Sequence, residues 1–129
     1  MNSVHQVAEA ANADTGLDGA YQLPINQFID DFRSASPAHR SELVAQAPEA
    51  RDGRLAALLA GVVHALCDET HLSYPDWLTY IGVKSPEPFF VLSRTVNRSA
   101  FFAFVQMLES PRWFFSRNVF VPENYLNRA

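Results

Sequence analysis

The feature that most constrains the fold is a long apolar stripe that follows Asp52 and Gly53. Its large side chains recur at alternating intervals of three and one residues, as on one face of an α-helix, and small residues lie between them. The stripe consists of Leu55, Leu58, Leu59, Val62, Val63 and Leu66. A helix running to about Glu69 is roughly 25 Å long at 1.5 Å per residue, enough to cross a domain of this size. The spacing therefore predicts a central helix against which the rest of the chain packs.

Shorter segments also show helical patterns. A helix is predicted over residues 24–33, where Pro24 suits the first turn because its missing N–H needs no partner there. The apolar stripe of this helix is Ile25, Phe28, Ile29 and Phe32. Ser36 and Pro37 predict the start of another helix, with a serine N-cap and a proline at the first helical position. A further amphipathic helix is predicted over residues 98–109.

One short segment, residues 119–121, resembles a β-strand. A single segment of this length cannot build a sheet. We therefore predict an all-α fold, a compact single-domain helical bundle around the central helix with an irregular, aromatic-rich C-terminal segment. Its core is expected to include Leu59, Val62, Phe104, Trp113 and Phe120.

The chain of 129 residues, with 48% hydrophobic and 19% charged residues, has the size and composition of one globular domain. Residues 1–20 show little periodicity, apart from a possible short helix over residues 4–11. We expect residues 1–20 to form a flexible N-terminal arm and residues 21–129 to form the single helical domain. Because the sequence has neither a run of about 18 apolar residues nor a signal-peptide pattern, we expect a cytoplasmic protein with no membrane partner.

Charge is distributed unevenly along the chain. Residues 1–93 contain five basic and twelve acidic side chains, a net charge of −7, whereas residues 94–129 contain five basic and two acidic ones, a net charge of +3. Nine of the ten basic residues are arginines, whose guanidinium groups suit bidentate recognition of carboxylates or phosphates. The overall charge of −4 opposes nonspecific binding to nucleic acid. Residues 94–129 are therefore the part of the chain that favours an anionic partner.

The central helix carries potential metal ligands on one face: His64, Cys67 or Asp68, and His71. No second ligand pair elsewhere in the sequence closes a tetrahedral site. We interpret Cys67 as a small apolar core residue and the other three as polar residues at the solvated end of the helix. A Cys67 nucleophile with His71 as its base would lack an oxyanion hole. Since nucleotide-binding, zincin and hydrolase signatures are also absent, we predict no catalytic residue, no metal and no cofactor.

Aromatic and basic residues are interleaved near the C-terminus, where residues 101–102 and 113–115 form two runs of consecutive rings. Neighbours on a helix point about 100° apart, so the rings of one run cannot all face one core. At least one ring of each run should be partly exposed. We predict a partner-binding patch for a protein or a second copy of the chain, made of Phe102, Arg112, Trp113, Phe115 and Arg117. The alternatives are a core of rings solvated by arginines, and a surface that stacks single-stranded nucleic acid.

Several segments between residues 25 and 127 have a distinctive order and spacing. They are Phe28-Ile29-Asp30-Asp31-Phe32, Arg54-Leu55-Ala56-Ala57-Leu58-Leu59-Ala60, His64-Ala65-Leu66, Leu72-Ser73-Tyr74-Pro75-Asp76-Trp77, Pro88-Phe89-Phe90-Val91, Glu109-Ser110-Pro111, Arg117-Asn118-Val119-Phe120-Val121 and Leu126. This order resembles a poorly characterised family of small bacterial proteins. Its members resemble antitoxin-type or regulatory modules, some attached to a helix-turn-helix domain and some encoded beside a nucleotidyltransferase-like toxin. Members often carry a run of arginines before the Asn-Val-Phe-Val segment, of which only Arg117 remains here.

The resemblance implies a non-enzymatic protein-binding module, an antitoxin-like neutraliser of a bacterial toxin that acts through protein–protein contact. Its partner would be a toxin-like enzyme whose positively charged groove an acidic body can cover. The alternative is a nucleic-acid-binding transcriptional or RNA regulator that uses the arginine-rich end. A more distant third function is a metal-dependent enzyme that uses His64, Cys67 or Asp68, and His71.

Overall fold

The structure, a computed structural model, describes residues 3–14, 17, 19–80, 84–91, 107, 109–122 and 125–127. These residues form six α-helices: α1 (Val4–Ala11), α2 (Gln22–Ser34), α3 (Pro37–Ala45), α4 (Gly53–Thr70), α5 (Asp76–Tyr80) and α6 (Arg112–Phe115). Two short strands, β1 (Phe89–Phe90) and β2 (Val119–Phe120), pair in one sheet. The prediction of a mainly helical chain is confirmed. Most of the predicted helix over residues 98–109, including Phe102 and Phe104, lies outside the described residues.

The predicted central helix is present as α4, which has 18 residues. It begins after Asp52, whose side chain accepts a hydrogen bond of 2.8 Å from the backbone N–H of Arg54 and so satisfies a donor that the helix itself leaves unpaired. It ends at His71, whose backbone is left-handed with φ of 57°. All residues of the predicted apolar stripe are buried, and α4 contacts α1, α6 and β2. Among the described residues, no helix combines the length and apolar character needed to cross a lipid bilayer.

The helices α2 and α3 follow their sequence signals. The predicted apolar stripe of α2 is fully buried. The hydroxyl of Ser36 caps α3 by accepting a hydrogen bond of 3.3 Å from the backbone N–H of His39. From α3, Arg40 donates to the carbonyl oxygens of Phe32 and Arg33 at 2.9 and 2.8 Å. Since those carbonyls end α2 and have no partner within it, the bonds fix the turn between the two helices.

The structure differs from the flexible arm expected over residues 1–20, because residues 4–11 form the helix α1 and pack into the core. A capping box between Ser3 and Gln6 begins the helix. Its side chains exposed by at most 1% are Val4, Val7, Ala8 and Ala11. After the helix, the side chain of Asn12 bonds the backbone of Glu49 and Arg51, each at 2.9 Å. The small valine and alanine side chains give a weak sequence signal, and burial by α2, α3 and α4 supplies the stability.

The expectation that the strand-like segment near residue 120 has no partner is wrong. β1 and β2 pair in parallel, with Phe89 opposite Val119 and Phe90 opposite Phe120. The backbone N–H of Phe89 donates to the carbonyl of Asn118 at 3.1 Å, and the N–H of Ser85 donates to the carbonyl of Arg117 at 2.8 Å. The strand β1 has only two residues and follows two prolines, so its sequence carried no strand signal.

Of the predicted core residues, Leu59, Val62 and Phe120 are buried, whereas Trp113 is only partly buried and packs against the core from outside. Arg33 connects the last described residues to the helices. It donates hydrogen bonds to the carboxylate of Glu69 at 2.8 and 3.0 Å and to the carbonyl of Leu126 at 2.6 Å. These bonds connect α2, the end of α4 and the C-terminal turn.

The closest approach of α6 to α4 occurs at Gly61, and it gives the first prediction. A Cβ atom on Gly61 would lie 2.7 Å from Cδ1 of Phe114 and 3.2 Å from the carbonyl oxygen of Trp113. We expect Gly61→Ala to lower the free energy of unfolding by about 1–3 kcal/mol through overpacking, although alanine favours a helix by about 1 kcal/mol over glycine. Urea denaturation measures the difference.

The matched control is the same change in a Phe114→Leu background. The smaller side chain leaves room for a methyl group, so the cost of Gly61→Ala should shrink there and reveal a coupling between the two sites. A Gly61→Ala protein that is more stable than the wild type would contradict the close contact.

Candidate functional site

The sequence-predicted patch residues that the structure describes lie on α6 or just after it: Arg112, Trp113, Phe115 and Arg117. The fifth, Phe102, lies outside the described residues. These four residues differ in their exposure to solvent. Arg112 and Phe115 are exposed, whereas Trp113 and Arg117 are partly buried and bond to α4.

The carboxylate of Asp68, on α4, is the centre of the contact with α6. Its Oδ2 accepts a hydrogen bond of 2.7 Å from Nε1 of Trp113 and lies 3.5 Å from Nη2 of Arg112. Its Oδ1 accepts a hydrogen bond from the hydroxyl of Tyr74. The bonds from Tyr74 and Trp113 hold the pKa of Asp68 below its usual value, because both stabilise the carboxylate. Asp68 therefore remains ionised and fixes the side chains of Tyr74 and Trp113, whereas Arg112 stays largely exposed beside it.

A second link between α4 and α6 runs through His64. One nitrogen of Arg117, Nη1, donates to Nδ1 of His64 at 3.1 Å and to the carbonyl oxygen of Trp113 at 3.0 Å. Since a guanidinium can only donate, Nδ1 must carry a lone pair, and the imidazole is neutral. Burial and the charge of Arg117 lower the pKa of His64, which agrees with this protonation state.

The other ring nitrogen of His64 and the ring itself also have neighbours. Its Nε2 lies 3.7 Å from Oδ2 of Asp68, and its ring meets the ring of Tyr74 edge-on with 5.1 Å between centroids. We call His64, Asp68, Tyr74, Arg112, Trp113 and Arg117 the polar cluster. The carboxylate, the imidazole and the N–H and O–H donors of the polar cluster bond one another, and these bonds hold α6 on α4. A general base needs a free lone pair, whereas Nδ1 of His64 already accepts a hydrogen bond from Arg117.

The other members of the sequence-identified ligand set, Cys67 and His71, differ in their exposure to solvent. Cys67 is fully buried, and burial raises the pKa of its thiol to about 11, so it is not a thiolate at neutral pH. His71 is exposed at the left-handed end of α4. Among the described residues, no three histidine, cysteine or acidic side chains are placed to hold a metal ion.

Two exposed side chains form the outer surface of α6. Phe115 is 53% exposed, and the side chain of Arg112 is 81% exposed. Residues three apart on a helix share a face, so the two are neighbours on what we call the exposed face of α6. The ring of Phe115 meets Phe120 edge-on at 5.9 Å, and Phe120 in turn packs on Phe90 at 5.1 Å. The prediction that at least one ring of residues 113–115 is exposed is therefore confirmed, and this ring rests on an aromatic base.

A small concavity lies elsewhere, where the end of α1 meets the start of α4. Its volume is about 250 Å³, and its lining includes Leu55 and the polar side chains of Asn12 and Asp52. Asn12 already bonds two backbone groups, and Asp52 is paired with Arg54 at 2.7 Å. The polar groups here therefore hold the local backbone together.

Sequence reasoning missed the roles of Asp68 and His64 as partners of Trp113 and Arg117. The two α4 residues are four apart and were interpreted as a solvated helix end. The signal that could have found them is the indole of Trp113, since a partly buried Trp N–H needs an acceptor and the four residues of α6 include no carboxylate.

The state of Asp68 gives a prediction on pH and stability. Because its pKa is lower in the folded chain than in the unfolded one, its ionised form stabilises the fold above about pH 4, and this stability is lost as pH falls further. We expect Asp68→Asn to lower the free energy of unfolding at pH 7 by about 1–3 kcal/mol and to flatten the acid limb of the pH profile. Glu49→Gln, a change of an exposed carboxylate, is the control. An acid limb of equal steepness in both variants would contradict the role given to Asp68.

The chain matches no protein-family model, no curated protein and no solved structure. The resemblance to antitoxin-type modules therefore gains no support from relatives. The function has to be inferred from the surface of the protein itself.

Proposed function

We propose that this protein is a non-enzymatic protein-binding module whose contact surface is the exposed face of α6. The observation that carries this is the ring of Phe115, 53% exposed yet held on a fixed aromatic base. Aromatic side chains and arginine are enriched in the cores of protein interfaces. An aromatic ring buries much surface with few freely rotating bonds, and a guanidinium adds directed hydrogen bonds. Arg112, three residues away, adds a guanidinium that suits a carboxylate on the partner.

The roles within the predicted patch differ. Phe115 and Arg112 contact the partner, while Trp113 and Arg117 hold α6 on α4 through Asp68 and His64. A rigid contact segment loses little conformational entropy on binding, so residues that position the ring raise affinity without touching the partner.

For the partner, we propose a toxin-like enzyme that this protein neutralises by covering it. Support comes from the resemblance and from the uneven charge, with −7 over residues 1–93. An enzyme that acts on nucleotides or RNA presents a positive groove, and an acidic body attracts and covers such a groove. Neutralisation by contact requires no chemistry from the inhibitor, which agrees with a polar cluster whose groups are bonded to one another.

The test replaces Phe115 with glutamate and measures association with the product of the adjacent gene by calorimetry. We expect an unchanged melting temperature and an affinity lower by at least about 30-fold, because a central aromatic anchor contributes 2 kcal/mol or more. Leu23→Glu is the matched control, since Leu23 is a 75% exposed apolar residue on α2. Co-expression of the wild type, and not of the Phe115 variant, should rescue growth.

Other outcomes separate the possibilities. A collapse of stability in Phe115→Glu would show that the ring is structural and that the interface lies elsewhere. Self-association that disappears only in the Phe115 variant, seen by sedimentation, would make a second copy the occupant. An adjacent gene product that is not toxic rules out the antitoxin-like role.

Binding to nucleic acid is the second candidate, and one observation favours it. The guanidinium of Arg112 lies 5.5 Å above the ring of Trp113, an arrangement of cation and ring on which a base can stack. If this is its function, a labelled uridine 20-mer should bind with an affinity that falls steeply between 50 and 300 mM salt, and Arg112→Ala should lower the salt slope by about 1. The exposed Arg51, outside this surface, gives the control variant Arg51→Ala. Absence of binding at low salt would reject this function.

A further inference from the structure

The link between His64 and Arg117 depends on a single proton. Nη1 of Arg117 donates to Nδ1 of His64 at 3.1 Å, and arginine stays charged at any pH at which proteins fold. The bond therefore exists only while the imidazole is neutral. Protonation would place an N–H on Nδ1, so that two donors and two positive charges would face each other across the same 3.1 Å.

The charged and titratable groups around His64 come from three parts of the chain. Asp68 on α4 favours the protonated ring, whereas Arg112 on α6 and Arg117 after it oppose it. Tyr74, between α4 and α5, lies with its ring nearly perpendicular to that of His64. Burial and the two arginines outweigh Asp68, so the pKa of His64 lies below its usual value of about 6.5. The ring is therefore neutral at pH 7 and takes up its proton only at lower pH than an ordinary histidine.

Among the described residues, the bond to His64 is the hydrogen bond that joins Arg117 to α4. Its Nε is already buried without a hydrogen-bond partner among the described residues. Its other Nη1 bond goes to the carbonyl of Trp113, which belongs to the same segment. A protonated His64 would also be drawn towards Oδ2 of Asp68, 3.7 Å away, the same oxygen that accepts from Trp113. Protonation of His64 therefore removes the bond from Arg117 to α4. The protonated ring also competes with Trp113 for Oδ2 of Asp68.

We propose that His64 is a pH-sensitive latch: its neutral ring holds the segment from Arg112 to Arg117 on α4, and its protonation releases that segment and so weakens the exposed face of α6 as a binding surface. The consequence for binding rests on the proposed function, whereas the release itself does not. Asp68 is a separate group, which loses its own contribution only below about pH 4.

The release has a signature in the backbone. The carbonyls of Arg117 and Asn118 accept from the N–H groups of Ser85 and Phe89, so movement of the segment would expose these two amides to exchange with solvent. The protein has two tryptophans, and only Trp113 donates its indole N–H to Asp68, whereas Trp77 donates to the carbonyl of Val44. The indole resonance of Trp113 should therefore follow the titration of His64, and that of Trp77 should not.

The experiment compares amide protection factors at pH 7.5 and 5.0 in the free protein by NMR. His64→Asn is the central variant, because the asparagine oxygen can take the place of Nδ1 as acceptor and cannot take up a proton. His71→Asn is its matched control, since it removes another histidine from the same helix, at a left-handed position that asparagine tolerates. We expect protection of Ser85 and Phe89 to fall at least tenfold in acid in the wild type and in His71→Asn, and to stay constant in His64→Asn.

Two results would overturn the latch. One is an equal loss of protection in His64→Asn, which would assign the effect to another group. The other is unchanged protection in the wild type while the imidazole of His64 titrates. If His64→Asn does not fold, Arg117→Met tests the same contact: the pKa of His64 should rise, and an unmoved pKa would refute the opposition of the two charges. None of these measurements involves a partner, so a failed latch and a failed binding function are distinguishable.

Discussion

The contact of Phe114 with Gly61 sets the position of α6 on α4, and the exposed face of α6 depends on that position. The ring of Phe114 is fully buried and occupies the space that a Cβ on residue 61 would take. Beside this close approach, Nε1 of Trp113 lies 2.7 Å from Asp68 and Nη1 of Arg117 lies 3.1 Å from His64. The polar cluster therefore accompanies the apolar packing between α4 and α6. Burial stabilises this contact, and the hydrogen bonds of the cluster fix the orientation of α6.

A four-residue helix can separate stability from recognition because its consecutive side chains point in different directions. In α6, Phe114 points into the core, Trp113 bonds sideways to α4, and Arg112 and Phe115 face outwards. The segment is too short to be stable alone, so its exposed residues are held in place by the burial of Phe114 and by the bond from Trp113 to α4. A change at Phe115 is expected to alter binding, whereas a change at Phe114 is expected to alter folding.

Local signals in the sequence predicted local structure well. The apolar stripe of α4 and the Ser36 cap of α3 depend on residues within a few turns of one another, and both are present. Three features depend on partners distant in sequence and were missed: the burial of α1, the pairing of β1 with β2, and the bond from Trp113 to Asp68, 45 residues away. The candidate patch was predicted as a cluster of residues, but which of them face outwards depends on α4 and could not be read from α6 alone.

The burial of Arg117 is relevant to whether the partner is a protein or a nucleic acid. Tracking a phosphate backbone requires several free cations, because affinity there comes from the release of many counterions. Of the two C-terminal arginines that the structure describes, Arg117 is half-buried and donates to His64 and to the carbonyl of Trp113, which leaves Arg112 as the exposed one. One exposed guanidinium beside one exposed ring is a weak phosphate-binding surface but a sufficient anchor for a protein interface, in which a few residues supply most of the binding energy. The described part of this surface therefore supports the proposal of a protein partner.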